Sequence, residues 1–261
     1  MDVIDAHDTA PAQQAYAAFT LHAPDGGRFA FPPARTVALA AMLRHAACQA
    51  LPPGSRNAES GLFVAGHVDG PKLQPRISYL PLPDIAGRSD GLVRHVMLAA
   101  PEQRCGQLRA VAELLDGVML RNNQRRPVAR IKPAAADDPV VAAYLQRPAG
   151  ECVLASATPV VLPGCDERRT DKALKLFTRC LDQAGIPAGL ILAVRFVEQS
   201  PWPGAQGAAA YERPEHCRRF TCRHVHLYCR DLPAGPIVLG AGRFRGLGLM
   251  ACGIKKGVRY L

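Results

Sequence analysis

The stretch that most constrains the fold is residues 235–249, which read GPIVLGAGRFRGLGL. An apolar run leads into four closely spaced glycines, Gly240, Gly242, Gly246 and Gly248. Glycine adopts positive φ angles and lets a second backbone or a ligand approach closely. Free N–H groups in such a loop can hold a phosphate, and Arg243 and Arg245 would add planar forks that match phosphate oxygens. The pattern predicts either a loop that grips a nucleic-acid backbone or a glycine-rich turn between two strands.

The charge balance points to a polyanionic partner. The chain has 261 residues, with 32 Lys and Arg against 22 Asp and Glu, which gives a net charge of +10 and an isoelectric point near 9.4. A basic balance of this kind favours nucleic acid. The nine cysteines follow no disulfide framework, and the chain has no signal peptide and no apolar run of about 18 residues. We therefore expect a cytoplasmic protein with reduced cysteines and no membrane partner.

The N-terminal half alternates strands and helices. Apolar spacing and turn residues predict helices at 34–51 and 101–120 and strands at 16–21, 61–66, 76–82, 93–99 and 128–131. Strand–helix–strand–strand–helix–strand is the ferredoxin-like order, and the predicted set contains one strand too many for it. A connection rich in Ala and Pro at 133–150 separates the halves. We therefore predict an N-terminal domain at 1–135 and a C-terminal domain at 150–261.

The C-terminal half carries the most regular helix of the chain, predicted at 166–184, among strands predicted at 153–162, 190–197, 216–230, 237–239 and 247–251. One side of this helix carries four cations at helical spacing, Arg168, Lys172, Lys175 and Arg179. Unpaired cations on one face repel one another unless a polyanion screens them. The stripe predicts RNA contact, with a solvated surface helix as the alternative.

Residues 216–229 contain side chains of the types that bind zinc, His216, Cys217, Cys222, His224, His226 and Cys229. A zinc finger needs two close ligand pairs at fixed spacings, and this segment has no C-x-x-C. The segment alternates as a strand does, which predicts a strand with polar residues on one side. Structural zinc is the alternative, and we expect no metal or other cofactor.

Single histidines are the other candidates for chemistry. His45 lies on the first predicted helix, His67 follows the strand predicted at 61–66, and His95 lies in the strand predicted at 93–99. Histidine is the commonest general base near neutral pH, although a lone histidine more often lies on the surface or in the core. The chain has no Ser–His–Asp signature, H-E-x-x-H motif or P-loop pattern. The sequence therefore does not support the enzyme classes that those motifs mark.

Short motifs occur in order along nearly the whole chain, from about residue 33 to 250. They are LRHA (43–46), AGH (65–67) with DG (69–70), YLPLP (79–83), DGL (90–92), TPVVLPG (158–164), RRTDK (168–172), Arg195 with SPWPGA (200–205), and the glycine loop after Gly235-Pro236. In these motifs the chain resembles the RAMP-type CRISPR-associated repeat-RNA endonucleases. It is most similar to the endonuclease-like half of the fused type I-G subunit, and it is also similar to stand-alone type IV CRISPR RNA-processing proteins.

The resemblance implies an α+β fold of two tandem ferredoxin-like (RRM-like) domains with a Gly-rich loop near the C-terminus. It implies an endoribonuclease that binds the CRISPR repeat hairpin, cuts at its 3′ side and stays on the CRISPR RNA (crRNA) in an effector complex with other CRISPR subunits. Cleavage would be metal-independent, since the ribose 2′-OH attacks the adjacent phosphate and leaves a 2′,3′-cyclic phosphate and a 5′-OH. A general base and a cation would assist while the loop holds the strand in line.

The resemblance also implies which residues act. The base would be a histidine on or near the first helix, and His67, which matches the Gly-His of the most similar relatives, ranks ahead of His45. Gln74-Pro75-Arg76 stands where relatives have a His-rich run, so an arginine-only site that uses Arg35, Arg76 or Arg243 is the alternative. The candidate catalytic residues are His67, His45, Arg35 and Arg243. The candidate RNA-binding residues are Arg44, Arg76, Arg168, Arg169, Lys172, Lys175, Arg179, Gly240, Gly242, Arg245, Gly246, Lys255 and Lys256.

Two alternative functions stay open at this point. The first is a non-catalytic RAMP subunit that binds guide RNA, which predicts tight, salt-sensitive binding with the repeat left intact. The second, from another class, is a zinc-stabilised interaction module, which predicts stoichiometric zinc in the purified protein.

Overall fold

The computed structural model of the chain describes residues 14–55, 59–66, 75–164, 170–232 and 234–252. These residues form two antiparallel sheets, one from each half of the chain, with helices packed on them. The arrangement confirms the predicted α+β class. None of the helices in this part of the chain combines the length and the apolar composition that a bilayer span requires.

The first sheet contains β1 (Gln14–His22), β2 (Ser78–Pro83), β3 (Val93–Pro101), β4 (Met119–Arg121) and β5 (Pro127–Pro133). Their order is β2-β3-β1-β5-β4, and every neighbouring pair is antiparallel. The same half contains helices α1 (Thr36–Ala50), α2 (Glu59–Ala65) and α3 (Cys105–Leu115). Leu39 and Leu43 of α1 are fully buried, as the apolar spacing of that helix predicts.

Two predictions for this half are wrong. Residues 61–65 belong to helix α2 rather than to a strand, because a short apolar run fits a buried helix as well as a buried strand. The helix predicted to reach residue 120 ends at Leu115, and Gly117 follows with a φ of 72°, a common way for a helix to stop. The residues released from that helix form β4, which pairs with β5.

The second half begins with α4 (Pro139–Leu145), which lies inside the predicted connection. The Asp138 side chain starts this helix by accepting hydrogen bonds from two of its first backbone N–H groups. The strands are β6 (Glu151–Ser156), β7 (Val160–Leu162), β8 (Ile191–Val197), β9 (Thr221–Arg230), β10 (Ile237–Val238) and β11 (Leu249–Cys252). Their order is β10-β11-β6-β9-β7, and β8 also pairs with β9. Helix α5 (Thr170–Gln183) packs on this sheet.

Two strand boundaries in this half differ from the prediction. The run expected at 153–162 is divided into β6 and β7, with Pro159, which has no N–H to donate, in the gap. The strand expected from residue 216 begins at Thr221, because residues 215–217 form a short 3₁₀ turn.

Successive residues of the strands face different cores, which places the two sheets face to face. In β3, Leu98 packs with α1 and α3, whereas Met97 packs toward the second half of the chain. In β11, Met250 packs with α5, whereas Leu249 meets the first half. Trp202 belongs to the same shared core. The layers therefore run helix, sheet, sheet, helix. The boundaries predicted at 1–135 and 150–261 stay a prediction.

Candidate nucleic-acid interface

The glycine loop, residues 240–248, lies at the junction of the two halves. It leaves β10, meets the edge strand β2 through a backbone bridge between Tyr79 and Arg245, and returns as β11. Gly246 permits this approach, because a Cβ at that position would lie 2.9 Å from the Pro81 side chain and 3.0 Å from the Thr36 carbonyl oxygen. The loop is therefore packed against both sheets.

Five backbone amides of the loop donate hydrogen bonds within the protein. The N–H of Ala241 donates to the carbonyl oxygen of Val161, and the N–H of Gly248 donates to that of Pro159. The N–H groups of three other residues donate to carbonyl oxygens of the loop itself, those of Arg243, Arg245 and Leu247. The predicted cradle of free amides is wrong for these groups, since the glycines serve close packing between strands. Contact of RNA with Gly240, Gly242 and Gly246 stays a prediction.

Side chains give the loop its basic surface. Arg243, Phe244 and Arg245 are partly exposed. Arg76, from the segment just before β2, places its guanidinium carbon 3.7 Å from the centre of the Phe244 ring, and that of Arg243 lies 4.5 Å from the same point. Arg44 of α1 lies near enough to Arg245 to affect its pKa. We call Arg44, Arg76, Arg243 and Arg245 the arginine cluster.

The positive charges of this cluster act on one another. Burial lowers the pKa of Arg76, and the charges of Arg243 and Arg245 lower it further. Burial and then the charge of Arg44 lower the pKa of Arg245, and burial lowers that of Arg243. Within the described ranges, no carboxylate lies within ion-pair distance of Arg76, Arg243 or Arg245. Phosphate oxygens would supply that missing negative charge.

Backbone carbonyl groups orient these side chains. Arg44 Nη1 donates to the Ala65 carbonyl oxygen at 2.8 Å, and Arg76 Nη1 donates to that of Gly66 at 2.9 Å. Both acceptors lie at the C-terminal end of α2, where helix carbonyls have no partner within the helix. A guanidinium has five N–H donors, so one such bond orients Arg76 and leaves further donors for an anion.

A basic stripe on α5 leads to the cluster. Lys175 and Arg179 are exposed and Lys172 is partly exposed, as predicted for the outer side of this helix. Gln183 continues the same spacing, and its Oε1 accepts a hydrogen bond of 2.9 Å from Arg243 Nη1. The stripe and the cluster therefore form one continuous surface.

Of the remaining predicted residues, the structure describes Arg35 and His45. Arg35 is exposed and pairs with Glu212 of the second half, with 3.2 Å between Nε and Oε1. His45 is exposed on α1, one residue after Arg44. The other predicted residues lie outside the described ranges, His67, Arg168, Arg169, Lys255 and Lys256.

A different histidine lies beside the cluster. His216 is exposed on the 3₁₀ turn at residues 215–217, whose Cys217 belongs to the same buried cluster as Leu247 of the loop. Partial burial and then the charges of Arg245 and Arg76 lower the pKa of His216. An imidazole with a lowered pKa is neutral near physiological pH and can accept a proton. Sequence reasoning placed His216 in the zinc cluster, because no spacing pattern connects residue 216 with the glycine loop.

Sequence reasoning also missed Phe244 and Gln183. Phe244 stands between two arginines, and that Arg-Phe-Arg triplet is the signal that could have indicated a stacked guanidinium. Gln183 follows the basic stripe at an interval of four residues, which is the signal that places it on the same side of α5.

The residues of the zinc alternative do not form a ligand set. In the part of the chain that the structure describes, no three His, Cys, Asp or Glu side chains form a group that could hold a metal ion. His224 is buried in β9, where its Nδ1 lies 3.0 Å from Ser156 Oγ and its Nε2 lies 3.0 Å from the Gln206 carbonyl oxygen. Both ring nitrogens of His224 therefore have polar partners within the protein.

Comparison with known proteins shows the family. No curated protein matches the chain. Three solved structures are similar to 92% of this chain: "An RAMP protein binding different RNA substrates" (10% identity, 98% of that chain, TM-score 0.46), a Cas6 product complex (12% identity, 99% of that chain, TM-score 0.43) and "Csf5, CRISPR-Cas type IV Cas6 crRNA endonuclease" (14% identity, 100% of that chain, TM-score 0.34). A family model described as "CRISPR-associated protein, GSU0054 family" matches residues 3–252. Because that match spans nearly the whole sequence, the predicted CRISPR association is confirmed, and the chain belongs to the GSU0054 family of CRISPR-associated proteins.

Proposed function

We propose that the chain binds CRISPR repeat RNA across the arginine cluster and cleaves it there, as an endoribonuclease that processes precursor crRNA. One observation carries the proposal. Four arginines from three separate segments meet at the junction of the halves, and three of them have no carboxylate partner in the described ranges. Charges of one sign gathered in this way repel one another, and a polyanion relieves the repulsion. Membership of a CRISPR-associated family makes repeat RNA the polyanion that we propose.

The cluster suits attack by the ribose 2′-OH on the adjacent phosphodiester. The 2′ oxygen forms a bond to phosphorus while its proton passes to a base, and the bond from phosphorus to the 5′ oxygen breaks. The products are a 2′,3′-cyclic phosphate and a 5′-OH once the leaving oxygen has taken up a proton. Arg243 and Arg245 would stabilise the charge that develops on the phosphate oxygens. This sequence of steps requires no metal, and we propose that cleavage is metal-independent.

Three histidines are candidates for the base. The resemblance to repeat-RNA endonucleases favours His67 and then His45. The position of His216 beside the arginine cluster, with its pKa lowered by burial and by nearby arginines, adds a third candidate. If cleavage requires no histidine, we propose instead an arginine-only site built on Arg76 and Arg243.

We further propose that residues 1–135 and 150–261 are two tandem ferredoxin-like domains and that the RNA lies across their junction. The strand order β2-β3-β1-β5, with α1 and α3 as the connecting helices, supports this for the first half. The stripe on α5 supplies further contacts away from the cluster, and these favour a product that stays bound within an effector complex.

Incubation of the purified protein with end-labelled repeat RNA in EDTA tests the proposal. We expect one cut, a 2′,3′-cyclic phosphate on the upstream product, and no cut when the ribose that supplies the attacking hydroxyl is replaced by deoxyribose. Cleavage that needs Mg²⁺ would overturn the metal-independent mechanism. Tight, salt-sensitive binding with the repeat left intact would identify a non-catalytic subunit that binds guide RNA.

A further inference from the structure

A pocket opens beside the arginine cluster, and the chemistry proposed above does not use it. Its volume is about 230 Å³. Its lining comes from both halves of the chain, with Gln14 and Pro101 from the first half and Gln183 and Ile237 from the second. Arg243 lines the pocket and also belongs to the cluster. A ligand that enters the pocket therefore lies next to whatever the arginines hold.

The size of the pocket fits one planar ring system. An engineered apolar cavity of about 150 Å³ binds benzene. The larger volume here accommodates a single nucleobase, which is a larger planar ring system than benzene, without room for a stack of bases.

The lining fits the two different surfaces of a base. Apolar side chains, among them Pro101, Ile186 and Ile237, suit its faces. The amides of Gln14 and Gln183 and the hydroxyl group of Ser78 can bond to its polar edge. Among the described residues that line the pocket, none has an acidic side chain that would repel the phosphate accompanying a base.

The wall nearest the cluster is suited to stacking. Phe244 lines the pocket, and the guanidinium carbon of Arg76 lies 3.7 Å from the centre of its ring. Proteins that bind single-stranded RNA hold splayed bases against aromatic rings and guanidinium planes. An apolar peptide side chain would have no use for two guanidinium groups in the wall of its pocket, whereas a nucleotide would use both.

We propose that this pocket, which we call the base pocket, holds one unstacked base of the bound RNA while the arginine cluster holds the adjoining phosphate. This inference rests on the proposed RNA binding, and it identifies the site at which one base of the RNA is recognised. In the folded repeat, that nucleotide would be unpaired or at the end of a stem, since a base inside a duplex cannot enter the pocket.

Filling the pocket tests this inference. Ala184 lines the pocket at the end of α5 and is partly exposed, so Ala184→Phe places a ring in the space without removing a charge. Ala193→Phe is the matched control, because Ala193 is exposed on β8 and does not line the pocket. Ala234→Phe enters the pocket from another segment and repeats the test if Ala184→Phe fails to fold.

The RNA probes are copies of the CRISPR repeat from the genome that encodes this chain, each with one base removed. For the wild type and for Ala193→Phe, we expect one position at which base removal weakens binding by about 5- to 150-fold, the range that base stacking covers. Ala184→Phe should bind the intact RNA more weakly than the wild type does, by a similar factor. Removal of the same base should then have no further effect, since the substitution and the base removal eliminate the same contact.

The outcomes separate this inference from the proposed function. Salt-sensitive binding with no position sensitive to base removal, or with the same sensitive position in Ala184→Phe, overturns the base pocket and leaves the arginine cluster in place. Absence of repeat-RNA binding by the wild-type protein overturns both.

Discussion

Replacing Arg243 by alanine separates a role in RNA binding from a role in the fold. Its guanidinium carbon lies 4.5 Å from the centre of the Phe244 ring and that of Arg76 lies 3.7 Å from it, so the two charges are at most about 8 Å apart. At an effective dielectric constant of about 20, two unit charges at about 8 Å repel by about 2 kcal/mol. The substitution removes that repulsion.

The same substitution also removes favourable contacts. Arg243 Nη1 donates to Gln183 Oε1 at 2.9 Å and to the Gly240 carbonyl oxygen at 3.3 Å, and its guanidinium contacts Phe244. Hydrogen bonds contribute about 1 kcal/mol each and a cation–π contact contributes about 1 kcal/mol. The relief of charge repulsion nearly offsets the loss of these contacts, so the free energy of unfolding should change by no more than about 1 kcal/mol.

RNA binding should respond differently. A charge-assisted hydrogen bond to phosphate contributes about 1.5–3 kcal/mol, which corresponds to a loss in affinity of about 10- to 150-fold for Arg243→Ala. Loss of one phosphate contact should also reduce the slope of log affinity against log salt by about 0.7–0.9. Fluorescence anisotropy over a range of salt concentrations measures both quantities, and denaturant unfolding measures stability.

Arg109→Ala is the control, because Arg109 is exposed on α3 and its loss changes the net charge equally. We expect its effect on affinity to be several-fold smaller. Wild-type affinity and salt slope in Arg243→Ala would show that Arg243 does not contact phosphate. A loss of stability above about 3 kcal/mol would instead assign Arg243 a structural role.

Three further predictions concern the loop, the basic helix and the base. Gly248→Ala should destabilise the fold by more than about 2 kcal/mol, because φ is 77° there and a Cβ would overlap the carbonyl oxygen of Leu239. Gly106→Ala, with open space at its Cβ, should be neutral or slightly stabilising, and equal effects of the two substitutions in thermal unfolding would contradict the packing role of Gly248. Lys175→Ala should weaken RNA binding modestly and reduce the salt slope by about 1, and a loss as large as that of the cluster variant would move the main site to the helix. If His216 is the base, Arg245→Gln should move the pH midpoint of single-turnover cleavage upward, because the neutral imidazole accepts the proton and loss of the nearby charge raises the pKa of His216. An unchanged midpoint, or a wild-type profile in His216→Gln, would remove His216 as the base.

The sequence predicts best those helices and strands in which apolar residues recur with a regular period over many residues. Helices α1 and α5 and strands β1 and β3 lie where the pattern places them, because each has enough residues to fix its period. The run at residues 61–65 is too short to distinguish a helix from a strand, and only its packing against α1 and β2 decides.

The site is harder to predict, because contacts between distant segments assemble it. The sequence identifies the arginines of the loop, but the contact between Arg76 and Phe244 joins residues from different halves. The glycines of the loop show the same difficulty, because the sequence leads us to predict free amides where the structure shows close packing. A sequence shows where a Cβ is missing, but not that Val161 and Leu239 occupy the space beside Gly240 and Gly248.

We propose above that RNA lies across the arginine cluster at the junction of the two halves. Photocrosslinking with repeat RNA that carries thiouridine at successive positions, followed by mass spectrometry of the peptides, tests it most directly. We expect crosslinks at Phe244 and in the peptides that contain Arg76 and Arg243, and excess unlabelled repeat should abolish them. Crosslinks confined to other surfaces, such as the exposed side of α3, would contradict it.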